Sequence, residues 1–278
     1  MNSILFKKSL LIFLLINMTS PLFAREVAIT IDDLPFVGSR KNYHLEMILN
    51  SIKTNEVPAT GFVIAGQVEP RNWEMLQKFR EAGLGLGNHT LSHANLNKVN
   101  SNAYIQEIEE ADRILKPVLT KPKYFRYPYL AMSGGEKKSK VLEYLATKNY
   151  KIAPITIDSR DFVFNQLLMA VPENARRNFL KVLKPCYLNF IWQQTLKAEQ
   201  ENRSAGKSER AQILLIHANL LNAYSLSDII SLYKEKDYNF VSLKDALRTF
   251  NPSPPKLVAK MEKPKTDTII ESFLDWDL

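Results

Sequence analysis

Two carboxylates, Asp32 and Asp33, follow directly on the apolar run VAITI at residues 27–31. A short β-branched run of this kind reads as a buried strand, and the C-terminal ends of such strands are where open α/β sheets and α/β barrels keep their sites. Consecutive residues at a strand end can diverge, so that one carboxylate holds a metal while its neighbour handles protons. His89 and His93, in GNHTLSH, have the i to i+4 spacing that brings two imidazoles to one face if the turn is helical. Two imidazoles and a carboxylate suit zinc or another divalent ion and leave positions open for water and substrate. The chain has only four histidines, and a third, His217, ends the apolar run ILLIH. Strand ends carrying Asp, His or Arg recur after Ile31, Phe125, Ile157 and Ile216, which chance does not readily supply at one edge of one sheet. His44 has no such context and reads as a surface residue.

These residues need a sheet to hold them, and the rest of the chain supplies its pattern. Short apolar runs alternate with helix-length amphipathic segments, which predicts an α/β domain with a parallel sheet. Strands are expected at 27–31, 60–64, around Leu86, at 124–127 before Pro128, and at 152–157, 213–216 and 240–243. Helices are expected at 45–52, 73–81, 104–119, 141–148, 226–233 and 244–250. Residues 164–211 break the alternation and read as a helical insertion ending in a mobile polar tip at 200–209. Its aromatics, among them Tyr187, Phe190 and Trp192, are as readily packing as substrate contacts. Residues 251–265 are rich in Pro and Lys and read as a linker; the final TIIESFLDWDL either docks a short amphipathic helix or is disordered.

Residues 1–24 stand apart. Lys7 and Lys8 precede an apolar run at 10–16 that leads to the small residue Ala24, the pattern of a secretory signal peptide cleaved after Ala24. The run is too short for the ~20 residues that span a bilayer, so no stable transmembrane segment is expected after cleavage, and the protein is expected in the periplasm or outside the cell. Cys186 is the only cysteine, which excludes an internal disulfide and suggests a buried apolar filler. With 278 residues, 45% of them hydrophobic, a sizeable core is available. The net charge of +8 suits anionic envelope polymers or lipid headgroups, or simply solubility. Scattered basic residues without a clustered stripe exclude a nucleic-acid binder.

The ordered set TIDD (30–33), HTLSH (89–93), RYPY (126–129), DSRDF (158–162) and LIH (215–217) resembles the five motifs of the NodB-like polysaccharide deacetylases, carbohydrate esterase family four. The resemblance spans roughly residues 26–250. It implies a distorted (β/α) barrel, seven-stranded, here with a helical insertion and a C-terminal extension; periodicity alone does not separate that from an open doubly wound sheet. It implies that Asp33, His89 and His93 hold a divalent metal, generally zinc, that Asp32 is the general base, and that His217 is the general acid. Arg126 would orient Asp32, Asp161 would orient His217, and the backbone N–H of Tyr129 would help stabilise an oxyanion. Leu215 and Phe162 would line the groove beside the acetyl methyl group. Asp158 is expected only to cap or brace a loop.

The implied activity is removal of acetyl groups from N-acetylated carbohydrate, with N-acetylglucosamine in peptidoglycan or an exopolysaccharide as the leading substrate. An O-acetyl esterase acting on a polymer such as xylan, and a non-catalytic sugar-binding module, are the alternatives. Departures from the family pattern are Ile31 where Phe is usual, Phe162 where Trp is usual, and the long gap between Asp161 and His217. They bear on groove shape and leave every metal, base and acid position filled.

Overall fold

The computed structural model describes residues 25–36, 38 and 40–250; the expected signal segment at 1–24 and the linker and tail at 251–278 lie outside the described residues. Eight strands form one parallel sheet around β1 (Arg25–Leu34), whose apolar middle is buried on both faces, as a parallel strand flanked by helices requires. On one edge β1 pairs with β7 (Gln212–His217), and on the other with β2 (Ala59–Val63). The path continues through β3 (Gly85–Asn88), β4 (Lys123–Phe125) and β5 (Tyr150–Ile152), and beyond β7 to β6 (Ile157–Asp158). Val27 pairs with both Gln212 of β7 and Phe240 of β8 (Tyr238–Phe240), so β8 lies on the β2 side at the start of β1. The result is the expected distorted (β/α) barrel: a curled path of seven strands, with β8 as a short eighth.

The curl does not close. A single strand is expected over 152–157, but the chain forms β5 and β6 with a break between them, and these two ends of the path do not pair. Pro154 stands in the break; without an N–H it cannot extend a ladder. The chain crosses the seam by lending single hydrogen bonds to each side, Ala153 N–H to Phe125 O at 2.8 Å and Thr156 N–H to Ile213 O at 3.0 Å.

Helices α1 (Lys41–Asn55), α2 (Pro70–Glu81), α3 (Ser101–Leu115), α4 (Gly135–Thr147), α7 (Leu220–Glu235) and α8 (Leu243–Phe250) pack around the sheet. The expected insertion is α5 (Asp161–Ala170) followed by α6 (Glu173–Ser204). Its aromatics serve packing in part: Tyr187 is fully buried, and its hydroxyl donates to Asn222 Oδ1 at 2.9 Å. Residues 200–204, expected within a polar tip, form the last turn of α6, with Asn202 buried.

Two expectations about single residues are overturned. Cys186 is exposed, because it falls on the outer side of α6 while Leu183 and Tyr187 take the core side. His44 is buried at 6% exposure, with its ring stacked on Phe36 at 5.3 Å between centroids, because α1 turns that position toward the loop that follows β1.

Candidate active site

At the C-terminal ends of β1, β3, β4 and β7 the structure brings together Asp32, Asp33, His89, His93, Arg126 and His217. Parallel pairing sets Asp32 opposite His217 in register. Asp33 adopts φ 62°, a left-handed conformation that Asp tolerates better than most residues. The two carboxylates do not part fully, since Asp32 Oδ2 and Asp33 Oδ1 lie 3.8 and 3.5 Å from the same His89 Nε2; they differ in their other neighbours, Arg126 for Asp32 and His93 for Asp33.

The histidine pair meets by a route the spacing did not suggest. Residues 89–93 form no helix; Thr90 and His93 both have positive φ, at 64° and 63°, and the segment is a folded loop. Asn88, fully buried, pins its start by accepting from Thr90 N–H at 2.8 Å while donating to Ile108 O and Tyr150 Oη at 3.0 Å. Gly66 pins its middle: its N–H donates to Leu91 O at 2.8 Å, and any Cβ at Gly66 would lie 2.7 Å from that same oxygen. The imidazoles end 4.9 Å apart between centroids.

His89 Nδ1 is 2.8 Å from the carbonyl oxygen of Arg126. That oxygen can only accept, so Nδ1 carries the proton and Nε2 turns its lone pair to the cleft. There His89 Nε2 and His93 Nε2 face Asp33 Oδ1 at 3.5 and 3.2 Å. Asp33 Oδ1 is buried and has no hydrogen-bond partner among the described residues. Burial opposes the charge on Asp33, but His89 first, then His217 and His93, outweigh it and hold the carboxyl at about 2. Burial, with His89 beside it, holds His93 below the ordinary imidazole value despite Asp33. Three donor atoms of two kinds, all within 4.8 Å of one another, with a buried acceptor left unpaired, fit a divalent ion.

Arg126 fills the sheet's seam. Its Nε donates to Ala153 O at 2.6 Å, and one terminal nitrogen donates to Thr30 Oγ1 and Pro154 O at 3.2 Å each. The other reaches both oxygens of Asp32 at 3.4 Å. The guanidinium lies 4.8 Å above the Phe62 ring and is 1% exposed, so it stands as a fixed cation behind Asp32.

Across the cleft, Asp161 is fully buried at the start of α5. Its Oδ1 lies 2.7 Å from His217 Nδ1, and its Oδ2 accepts from His217 N–H at 2.7 Å, from Asn219 Nδ2 at 2.8 Å and from Asn222 Nδ2. Burial alone would push Asp161 up, but the His217 imidazole and these donors hold it below the usual carboxylate range. Burial would likewise lower His217, and Asp161 more than reverses this, raising the imidazole to about 10.

The lining residues divide. Leu215 is buried within β7, while Phe162, 49% exposed, sets its ring edge-on to His217 at 6.3 Å. Tyr129 bends at φ 58° directly after Pro128, and its ring packs on His93 at 4.5 Å between centroids. Asp158 braces a loop, accepting from Arg160 N–H at 2.9 Å. Sequence reasoning missed Thr30, Asn88, Asn219 and Asn222. Asn219 carries one local signal, since it caps α7 by accepting from Asn222 N–H at 3.0 Å; the others act across the fold and leave none.

Residues 20–152 match the family model described as polysaccharide deacetylase, which is the family read from the five motifs. A peptidoglycan-N-acetylglucosamine deacetylase from Bacillus cereus is 30% identical over 145 residues, 52% of this chain and 49% of that protein. The chain thus spans about half the length of that curated relative. Among solved structures, the peptidoglycan deacetylase PdaC from Bacillus subtilis superposes with a TM-score of 0.57 at 20% identity, covering 81% of this chain and 91% of that one. A wild-type CE4 family pseudoenzyme from Bacillus anthracis superposes with a TM-score of 0.58 at 18% identity, covering 80% and 65%. At those identities the two structures speak for the fold alone.

Proposed function

We propose that this chain is a polysaccharide deacetylase, a metal-dependent hydrolase that removes acetyl groups from N-acetylated carbohydrate. We take N-acetylglucosamine units of peptidoglycan or an exopolysaccharide as the leading substrate, reached outside the cytoplasm through the leader read at 1–24. The observation that carries the reading is one cleft holding both the Asp33–His89–His93 donor set and the Asp161–His217 couple, with Asp32 next to the one and in register with the other.

Asp33, His89 and His93 would hold the ion, which when bound supplies polarisation of the acetyl carbonyl and lowers the pKa of water from ~15.7 toward ~7. Asp32, held in place by Arg126, accepts the proton as the water oxygen adds to the carbonyl carbon. As the C–N bond breaks, His217 delivers the proton on Nε2 to the departing nitrogen, so that acetate and a free amine leave. Such base and acid assistance contribute roughly 10²- to 10⁴-fold each. Asp161 keeps the imidazole oriented and charged for that delivery, much as a triad carboxylate does. An amine needs this proton more than an alcohol does, which supports amide over ester hydrolysis.

The test is acetate release by the purified chain from N-acetylglucosamine oligomers, peptidoglycan and acetylated xylan, with and without zinc, beside Asp32→Asn. Zinc-dependent release from a glucosamine substrate, lost in Asp32→Asn, is the expected result. Release from xylan alone would make the protein an esterase, and no release by folded, zinc-loaded protein would make it a binding module.

A further inference from the structure

Separate from the cleft is a cavity of about 530 Å³. Three segments that contain or closely follow catalytic residues contribute to its walls. The loop after β1 brings Phe36 and Arg40, α5 brings Asn165 and Leu168, and α7 brings Leu220 and Tyr224. Asn165 stands four residues, ~6 Å of helix, beyond Asp161, and Leu220 comes three residues after His217. Part of the cavity's wall is therefore the direct continuation of the segments that carry Asp32, Asp33, Asp161 and His217. The first turns of α6 close its far side.

Its lining has two parts. Phe36, Leu168 and Leu180 are buried and make an apolar floor, beside which Tyr224 is 42% exposed. The rim holds five cations, Arg40, Arg176, Arg177, Lys181 and Lys184, against one acid, Glu173. Arg40 approaches Glu173 at 3.8 Å, and Lys184 pairs with Asp228 at 2.7 Å. Arg176 donates to the carbonyls of Val171 and Met169 and meets no carboxylate there. Arg177 and Lys181 have no ion pair among the described residues.

Arg177, Lys181 and Lys184 follow at spacings of four and three, which puts them on one face of α6, where like charges repel. That arrangement does nothing for the helix, and its charge converges on a concave, apolar-floored space. A floor of that kind with a few convergent polar groups is how small-molecule and sugar sites are built, and the excess positive charge selects an anion.

We infer that this cavity is a subsite for an anionic group, carboxylate or phosphate, carried by the same glycan whose acetamide enters the cleft, so that the substrate is an acidic N-acetylated polysaccharide. What fills the neighbouring cleft rests on the deacetylase reading; the anion subsite is measurable without turnover.

The experiment is calorimetric binding of matched probes to the full chain and to the double variant Arg177→Gln/Lys181→Gln, both replaced residues being exposed. One pair is a hyaluronan tetrasaccharide, alternating N-acetylglucosamine and glucuronate, and its carboxyl-reduced twin. The other is an N-acetylglucosamine tetramer with and without a phosphate ester. The expected result is that one charged probe binds roughly tenfold or more tighter than its neutral twin, the worth of one charge-assisted hydrogen bond, and that salt and the double variant both erase the difference. Which pair shows it names the anion. Equal binding within both pairs, or a difference that survives in the double variant, overturns the inference. Acetate release recorded in parallel separates the two readings: a binding preference without any release leaves the subsite standing and removes the deacetylase.

Discussion

The two sides of the cleft are built on opposite principles. On the β1–β3 side, Asp33 Oδ1 is buried without a hydrogen-bond partner among the described residues, and two imidazole nitrogens converge on it. On the β6–β7 side, Asp161 is buried with its oxygens saturated by His217, Asn219 and Asn222. A buried acceptor left unpaired costs free energy, so a fold retains one where something else will bind it. A fully satisfied carboxylate is instead a fixed charge, able to set the protonation and direction of one partner. The first side is shaped for an ion, the second for a proton.

The sharpest way to break this comparison is Asp32→Asn. Asp32 adjoins the ion side yet is held by Arg126 and is no member of the donor set, so its loss should lower kcat by about 10²- to 10⁴-fold while zinc still binds. A variant that also loses zinc, by calorimetry, would place Asp32 among the ligands.

Next in size is Asp161→Asn. With the carboxylate gone, the His217 ring should titrate near the ordinary ~6.5 instead of about 10. With four histidines in the chain, NMR of the labelled rings can follow this directly. Because the folded value lies above the unfolded one, the couple's contribution to stability is complete below ~6.5 and is lost as pH rises through about 10. Metal-free wild type should therefore lose denaturant resistance across that window relative to Asp161→Asn. Parallel curves would mean that Asp161 does not set the proton.

Smaller again is the effect of the ion on stability. Zinc at a hundred times its Kd should stabilise the chain by about 2.7 kcal/mol, measured as a shift in the urea midpoint. His89→Ala should remove the shift, whereas His217→Asn should keep it. Loss in both would mean that the two sides are one unit.

How far this division was legible in the sequence follows from the same chemistry. Asp32, Asp33 and His217 could be found because each follows directly on an apolar run, and strand ends are local signals. The alternation of runs and helices likewise foretold the parallel sheet. The seam at Pro154 was passed over because residues 152–157 keep an apolar character across a break that a missing N–H enforces. The spacing of the histidines left their backbone open, because i to i+4 is met by a helical turn and also by a turn with two left-handed residues, which Asn88 and Gly66 secure from outside it. His44 and Cys186 were exchanged between surface and core because helix faces are fixed by neighbours that a single chain does not announce. The donors to Asp161 come from the end of β7, the N-cap of α7 and its first turn, some sixty residues away, and only that N-cap hinted at one of them.

Those remote donors supply the finest test. Asn222 donates to Asp161 Oδ2 and to His217 O, and accepts from the buried Tyr187 hydroxyl. Asn222→Ala removes one of several bonds to a charged carboxylate, so the expected cost is about 1.5–3 kcal/mol of stability, read from the urea midpoint. Asp161 would still hold His217 Nδ1 and would still accept from His217 N–H and Asn219, so the ring pKa should move far less than in Asp161→Asn. A drop as large as that caused by losing the carboxylate itself would mean that the asparagines, and not the charge of Asp161, keep the proton on His217.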